Sequence, residues 1–161
     1  MVSLQHLDLS DTKLEGLIPE TFGNNMNSLS YLDLSFGHLI GPILNSLGNM
    51  THLTHLNLCY NDFTGSTPES FAKLETLTYL DLQYNDFMGS IPKSFANLES
   101  CTYLDLSGNK LNGSIPMVFA NMTSTLTYLA LRNSGLEGHI PKSFGEKMSV
   151  LAVLDLSQNS L

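Results

Sequence analysis

Residues 77–100 read LTYLDLQYNDFMGSIPKSFANLES, and this stretch sets the architecture because the chain repeats it. The same residue types return from seven starting positions that follow one another at a nearly constant spacing. The starting positions are Leu4, Leu29, Leu53, Leu77, Cys101, Leu126 and Leu151. A fixed period of this length is typical of a stacked repeat architecture. The sequence therefore predicts one repeat domain over residues 1–161, with about six full coils and part of a seventh.

Each coil is expected to open with a short strand, because leucine alternates with polar residues from Leu77 to Leu82. Leu80 and Leu82 should point inward, while Tyr79 and Asp81 should point into solvent on the open face of the sheet. A glycine and then a proline follow in most coils, and a phenylalanine comes later. One coil cannot bury its leucines alone, so stacked coils must share a continuous core.

A polar position follows the strand at a constant offset. It holds asparagine in four coils, at Asn61, Asn85, Asn109 and Asn159. We expect each amide to bond the backbone of its own turn and that of the next coil, which would satisfy polar groups that stacking buries. Thr12, Gly37 and Ser134 replace the asparagine in three other coils.

The charge balance argues against a nucleic-acid partner. The chain has 7 basic and 15 acidic side chains and a formal charge of −8, so a phosphate backbone would be repelled. Residues 34–61 carry no charged side chain, but glycine, proline and asparagine interrupt them too often for a membrane span. No signal peptide follows Met1, so if the protein is secreted, its targeting segment is missing from this sequence.

Cysteine and histidine do not form a reactive pattern. Cys59 and Cys101 fall two coils apart, about 10 Å by the strand spacing, and a disulfide needs Cα atoms within about 7 Å. His6 and His55 are also two coils apart, so they cannot bind one metal ion. No nucleophile elbow or phosphate-binding glycine loop occurs. The sequence therefore predicts neither catalysis, nor a metal site, nor a cofactor.

The unit LxxLxxLDLSxNxLxGxIPxSFxNL, carried by residues 77–100 and their equivalents, resembles the plant-specific leucine-rich repeat. The resemblance implies a right-handed solenoid with a parallel β-sheet on the concave side. It also implies short second β segments, with turns and 3₁₀ or short helices on the convex side. Members of this family usually carry cysteine-containing caps at both ends. Because the chain has neither cap, the resemblance implies a fragment of a longer protein.

One concave row of the predicted sheet is rich in aromatic residues. The candidate ligand-binding residues in it are Tyr31, His55, Tyr79, Tyr103 and Tyr128. Tyrosine supplies rigid contact area with a polar tip, which favours a stacking and hydrogen-bonding platform for a ligand. The alternative is structural, because rings in coils about 4.8 Å apart help one another to cover the sheet.

A second aromatic group lies at the next variable position of three consecutive coils. Phe36, Tyr60 and Tyr84 occupy it and then give way to Gly108 and Asn133. A contiguous apolar patch at the rim of a sheet is a plausible contact site. Nearby, Arg132 could pair with an acidic group of a partner.

Three triplets match the acceptor pattern for N-glycosylation in a secreted protein. They begin at Asn49, Asn112 and Asn121. Asn49 and Asn121 should lie on the convex side, where a glycan would leave the concave face open.

Three functions remain open from the sequence. The first is the ligand-binding ectodomain of a plant receptor-like protein or receptor kinase, in defence or development, at the cell surface, with a peptide or protein ligand and a co-receptor. The second is a soluble cell-wall protein that inhibits polygalacturonase. The third is a structural or ice-binding solenoid, which a row of threonines at Thr54, Thr78, Thr102 and Thr127 would support.

Overall fold

The main sheet has one short strand from every coil. A computed structural model describes residues 2–122 and 124–161. Its seven parallel strands follow one another in the order β1-β3-β5-β7-β9-β11-β12. Their bounds are His6–Asp8 (β1), Tyr31–Asp33 (β3), His55–Asn57 (β5), Tyr79–Asp81 (β7), Tyr103–Asp105 (β9), Tyr128–Ala130 (β11) and Val153–Asp155 (β12).

Equivalent residues of neighbouring coils lie directly opposite one another. In β7 and β9, for example, Tyr79 pairs with Tyr103 and Asp81 pairs with Asp105. The nearly constant period of the sequence produces this register because each coil returns to the sheet at the same offset. Every residue type in the repeat therefore becomes a row that runs across the sheet, as the sequence predicted.

A second parallel sheet forms after the turn. It contains five short strands in the order β10-β8-β6-β4-β2. Their bounds are Glu15–Leu17 (β2), His38–Pro42 (β4), Asp62–Gly65 (β6), Asp86–Gly89 (β8) and Lys110–Leu111 (β10). The predicted right-handed solenoid with a main sheet and short second β segments is therefore confirmed.

Short helices complete the coils on the side away from the main sheet. They are the 3₁₀ helices Asn45–Asn49, Glu69–Lys73, Lys93–Asn97 and Met117–Asn121, and the α-helix α1, Lys142–Lys147. A proline with extended backbone angles precedes most of them, as Pro92 does with a φ of −60°. Proline fixes this φ and lacks the N–H that the first turn of a helix leaves unbonded, so it marks the helix start.

The core is a continuous stack of leucine and phenylalanine between the sheets and the helices. Leu80 and Leu82 of the fourth coil are fully buried, and so is Phe95 of the third 3₁₀ helix. Burying one such side chain stabilises the fold by roughly 1.5–3 kcal/mol. The rings of Phe63 and Phe87, in β6 and β8, lie parallel with their centroids 6.3 Å apart.

The asparagine row links neighbouring coils through the buried backbone. Asn85 donates its amide to the carbonyls of Leu58, Leu82 and Gln83 at 3.0–3.2 Å, and its oxygen accepts the Phe63 N–H at 3.1 Å. Leu58 and Phe63 belong to the preceding coil, so the expectation of bonds to the next coil was wrong. The reason is that the Leu58 carbonyl and the Phe63 N–H, on either side of the preceding turn, lie within reach of the Asn85 side chain.

The uncharged segment 34–61 and the two cysteines are ordinary parts of the repeat. Residues 34–61 contain β4, a 3₁₀ helix and β5, and no helix in the described residues is long and apolar enough to cross a bilayer. Cys59 and Cys101 are separate buried thiols. Burial raises the pKa of each to about 12, so both are protonated and unreactive near neutral pH.

Candidate functional site

Six aromatic side chains form one column across the main sheet. Its members are His6, Tyr31, His55, Tyr79, Tyr103 and Tyr128. Each ring is stacked on the next with centroids 4.1–4.3 Å apart and interplanar angles of 8–13°. We call this row the ring column.

Inside the ring column, both faces of each inner ring are covered by the neighbouring rings. Tyr103, for example, lies 4.3 Å from Tyr79 on one side and 4.3 Å from Tyr128 on the other. An aromatic group of a ligand cannot insert between rings at this spacing, so a ligand meets ring edges and hydroxyl groups. The ring column therefore offers a hydrogen-bonding surface, and mutual coverage accounts for the stacking without any ligand.

Beside the ring column lies a row of carboxylates that is buried at its centre. Asp33, Asp81 and Asp105 are only 7%, 2% and 4% exposed. The expectation that Asp81 points into solvent was therefore wrong. Its carboxylate accepts hydrogen bonds from the Gln83 side chain at 2.9 Å and from the Tyr79 hydroxyl at 3.2 Å, and these side chains cover it.

Burial changes the acidity of this row. Desolvation raises the pKa of Asp81 to about 6, although hydrogen bonds from Gln83 favour the charged form. The nearby charge of Asp105 adds to the increase, and the pKa of Asp105 is itself raised by burial. A charged carboxylate that loses water without gaining a cation is destabilised relative to its protonated form.

A second aromatic group is exposed at the end of the strands. Phe36, Tyr60 and Tyr84 are 53%, 42% and 43% exposed. Their rings stack in order, with centroids 4.7 Å apart between Phe36 and Tyr60 and 4.5 Å apart between Tyr60 and Tyr84. We call these three residues the aromatic rim. The structure thus brings together the three aromatic residues that the sequence singled out.

The backbone of the aromatic rim is left-handed. The φ angles of Phe36, Tyr60 and Tyr84 are 55°, 53° and 49°. In this region a side chain crowds the following carbonyl, at a cost of roughly 1–2 kcal/mol per residue, and bulky residues rarely adopt it. The aromatic residue types do not predict this strain, although Gly108 and Asn133 in the same row were a signal for it.

The fold imposes this conformation on every coil. The same position has positive φ at Asp11, Phe36, Tyr60, Tyr84, Gly108, Asn133 and Gln158. The N–H of Tyr60 donates to the Gln83 carbonyl of the next coil at 3.0 Å, and Asn61 then turns its side chain into the interior. The left-handed residue is what allows one side chain to face solvent and the next to face the core.

Gly108 ends the aromatic rim. The ring of Tyr84 lies over it so closely that a Cβ at Gly108 would come 2.6 Å from a ring carbon. Glycine is required at this point both by its φ of 66° and by the ring above it. The stack of three rings therefore packs against bare backbone.

The remaining candidates lie apart from the aromatic rim. Arg132 is exposed in the sixth coil. Hydrogen bonds from Ser157 hold the pKa of Asp155 below its ordinary value, and the positive charge of Arg132 adds to this decrease. Asn49 is exposed at the end of a 3₁₀ helix, and Asn112 is exposed after β10. The side chain of Asn121 and the Thr123 that completes its triplet lie outside the described residues.

Threonine forms a further regular row at the start of the strands. Thr54, Thr78, Thr102 and Thr127 are exposed, and each hydroxyl donates to a backbone carbonyl of the preceding coil at 2.8–3.0 Å. These bonds fix the side chains in one orientation. No group of three or more histidine, cysteine or acidic side chains that could hold a metal ion occurs among the residues that the structure describes.

Two family models match the chain. One described as "Leucine rich repeat" matches residues 45–87, and another described as "Leucine Rich Repeat" matches residues 3–25 and 100–122. Among curated protein sequences none matches the chain.

Solved structures similar to the chain include plant receptors. The plant peptide hormone receptor RGFR1 in complex with RGF2 has a TM-score of 0.95 and 34% identity over 99% of this chain. The Arabidopsis receptor kinase HAESA, in complex with the peptide hormone IDA and the co-receptor SERK1, has a TM-score of 0.91 and 35% identity over 97% of this chain. The chain spans 25% and 26% of those two chains.

A plant ice-binding protein is also similar. Its TM-score is 0.86, with 28% identity over 95% of this chain and 56% of that chain.

Proposed function

The chain belongs to the plant-type leucine-rich repeat family, and we propose that it binds a peptide or protein ligand through its concave face. In this proposal, residues 1–161 form one domain of the extracellular part of a plant receptor-like protein or receptor kinase. The ligand meets the aromatic rim and the exposed edges of the ring column. Binding, and not catalysis, is the proposed activity.

The observation that carries the proposal is the strained and exposed aromatic rim. A left-handed position favours glycine or asparagine, and the fifth and sixth coils have Gly108 and Asn133 there. The three preceding coils instead hold large aromatic rings, half in solvent. Strain at exposed residues is retained where the side chain is needed for contact.

The related structures support the proposal. RGFR1 and HAESA were both solved with a peptide hormone, and HAESA also with a co-receptor. Their likeness over nearly the whole of this chain favours the same class of ligand and a co-receptor for the longer protein. Because the chain spans about a quarter of each, the ligand of this chain is identified by selection.

Selection from a random peptide display library tests the proposal directly. The chain is immobilised, and bound peptides are enriched over an empty surface. Each enriched peptide is then measured against the variant Tyr60→Gly/Tyr84→Gly, in which glycine keeps the left-handed backbone without strain. We expect peptides that bind the wild type and bind this variant at least tenfold more weakly.

A matched control removes exposed apolar side chains elsewhere. Met88 in β8 and Met117 in the fourth 3₁₀ helix are 50% and 71% exposed and lie off the concave face. The variant Met88→Ala/Met117→Ala should bind the selected peptides within twofold of the wild type. If no peptide is enriched, or if the methionine variant loses binding as strongly as the tyrosine variant, the proposal is wrong.

Glycosylation of Asn49 and Asn112 is part of the extracellular proposal. Both side chains are exposed and open to a transferase. Expression in the secretory pathway of a plant cell should add mass that peptide N-glycosidase removes. The variant Asn49→Gln/Asn112→Gln should lose most of this mass, and its retention in full would contradict glycosylation at these two sites.

Ice binding is a second candidate because of the threonine row. Four exposed threonines with pinned hydroxyls form a regular array, and the similar plant ice-binding protein has the same fold. If this candidate is correct, the chain causes thermal hysteresis that Thr78→Lys/Thr102→Lys abolishes. The absence of thermal hysteresis in the wild type would remove it.

A further inference from the structure

The charged side chains are distributed unevenly between the faces of the solenoid. The strand and turn positions that form the concave face hold six aspartates, namely Asp8, Asp11, Asp33, Asp81, Asp105 and Asp155. The only lysine or arginine at these positions is Arg132. All six lysines lie elsewhere, at Lys13, Lys73, Lys93, Lys110, Lys142 and Lys147. The six aspartates and one arginine give the concave face a net charge of −5, whereas the nine other acidic residues and the six lysines give the rest of the chain −3.

No ion pair involves a carboxylate of this face among the described residues, and Arg132 is the one basic side chain near it, beside Asp155. The ion pairs in the described part of the chain are Lys110–Asp86 at 2.8 Å, Lys142–Glu146 at 3.8 Å and His38–Asp62 at 3.9 Å, and all three lie off the concave face. The central carboxylates are hydrogen-bonded by neutral groups only, such as the Asn57 amide on Asp33 at 2.9 Å. Neutral donors orient a carboxylate without cancelling its charge, so a negative potential remains over the sheet.

The ring column shapes how a cation can approach. The faces of its inner rings are stacked against one another, which leaves no face for a cation–π contact. The hydroxyls of Tyr79 and Tyr103 reach toward Asp81 and Asp105 at 3.2 and 3.4 Å. A cation attracted by the carboxylates therefore meets tyrosine hydroxyl oxygens and not ring faces.

We propose that the concave face binds an extended peptide segment rich in lysine or arginine, with apolar side chains next to the cations. The carboxylates attract the cations, and the aromatic rim receives the apolar side chains. This inference rests on the proposed function and names the chemistry of its ligand. Charge complementarity of this kind raises the association rate and selects among partners.

Three peptides of equal length and different charge test the inference. The probes are fluorescein-labelled (Arg-Ser-Leu)₄, (Gln-Ser-Leu)₄ and (Glu-Ser-Leu)₄, and binding is followed by fluorescence anisotropy at pH 7.5. At 50 mM NaCl we expect the arginine probe to bind at least tenfold more tightly than the glutamine probe, with no binding of the glutamate probe. At 300 mM NaCl the advantage of the arginine probe should shrink several-fold, because salt screens charge.

Variants that each remove two carboxylates show which aspartates bind the arginine probe. The variant Asp81→Asn/Asp105→Asn should bind the arginine probe at least fivefold more weakly than the wild type does. Because these two residues are buried, the exposed pair Asp8→Asn/Asp11→Asn gives a second variant with little risk to folding, and a threefold loss is expected. The control Asp62→Asn/Asp86→Asn removes the same charge from the second sheet and should change binding less than twofold.

The outcomes separate this inference from the proposed function. Equal binding of the three probes, or an equal loss in the control variant, overturns the inference. If the library selection enriches acidic or neutral peptides that need the aromatic rim, the proposed function stands and the cationic ligand is wrong. If the selection enriches nothing and no probe binds, both are wrong.

Discussion

The second, third and fourth coils differ from the fifth and sixth at one position. The backbone there is left-handed in all five, with φ between 49° and 66°. The earlier coils hold Phe36, Tyr60 and Tyr84, and the later ones hold Gly108 and Asn133. The fold therefore fixes the conformation of this position, while the side chain on it is free to vary. The difference between the two regions points to function in the aromatic rim.

A second contrast lies between the aromatic rim and the ring column. Both are stacks of rings, but the ring column is partly buried and covers the carboxylates beside it, whereas the aromatic rim is exposed and strained. We expect substitutions in the ring column to change stability and substitutions in the aromatic rim to change binding.

Valine at Gly108 should have the largest effect. Gly108→Val combines an unfavourable left-handed backbone, roughly 1–2 kcal/mol, with contact against the Tyr84 ring, roughly 1–3 kcal/mol. We expect a loss of about 3 kcal/mol in the free energy of unfolding, measured with urea. Gly113→Val is the control. The φ of Gly113 is 76°, but a Cβ there would lie 3.8 Å from its nearest neighbour, so this variant should lose only the free energy that the left-handed backbone costs. Equal losses would contradict the packing of Tyr84 on Gly108.

The pH dependence of stability tests the buried carboxylates beside the ring column. The pKa of Asp81 is about 6 in the folded chain and about 3.8 when it is exposed, so the folded state binds more protons between these values. The contribution of Asp81 to stability should therefore be complete below about pH 4 and decrease by about 2–3 kcal/mol as the pH rises through 6. Denaturant titrations at several pH values should show a smaller decline for Asp81→Asn. An identical pH dependence of the wild type and of Asp81→Asn would contradict the burial of Asp81.

Removal of one ring from the ring column should lower the free energy of unfolding somewhat less than Gly108→Val does. Tyr103→Ala loses stacking on Tyr79 and on Tyr128, each worth about 0.5–1.5 kcal/mol. We expect a decrease of about 2 kcal/mol in the free energy of unfolding by urea. No measurable decrease would show that the ring column does not support the fold.

The smallest stability effect should come from the aromatic rim. Tyr84→Gly loses one stacked contact but relieves the left-handed strain, and the two effects nearly cancel. The free energy of unfolding should change by less than about 1 kcal/mol in the same urea assay. A loss as large as that of Tyr103→Ala would mean that the aromatic rim serves the fold.

Much of the architecture was predictable because the repeat fixes it. The rows, the parallel sheet and the buried leucines follow from the period and from the alternation of residues such as Leu80 and Asp81. The asparagine row was also predicted, although its direction was not. A sequence pattern does not show whether an asparagine side chain reaches the coil before it or the coil after it, and Asn85 bonds the coil before it.

The surface was harder to predict. Alternation placed Asp81 on the open face, but it could not show that Tyr79 and Gln83 would cover the carboxylate. The stacking of Phe36, Tyr60 and Tyr84 was expected from their shared position, whereas their left-handed backbone was not. Exposure and strain depend on three-dimensional packing between coils, which residue types alone do not specify.

The affinity of a selected peptide for the aromatic-rim variant tests the central claim most directly. The dissociation constant is measured for the wild type and for Tyr60→Gly/Tyr84→Gly, and the stability of both proteins is measured in urea. We predict that binding to the variant is at least tenfold weaker while the free energy of unfolding is unchanged within about 1 kcal/mol. Equal affinity of the two proteins would contradict the claim that these strained rings are kept for contact with a ligand.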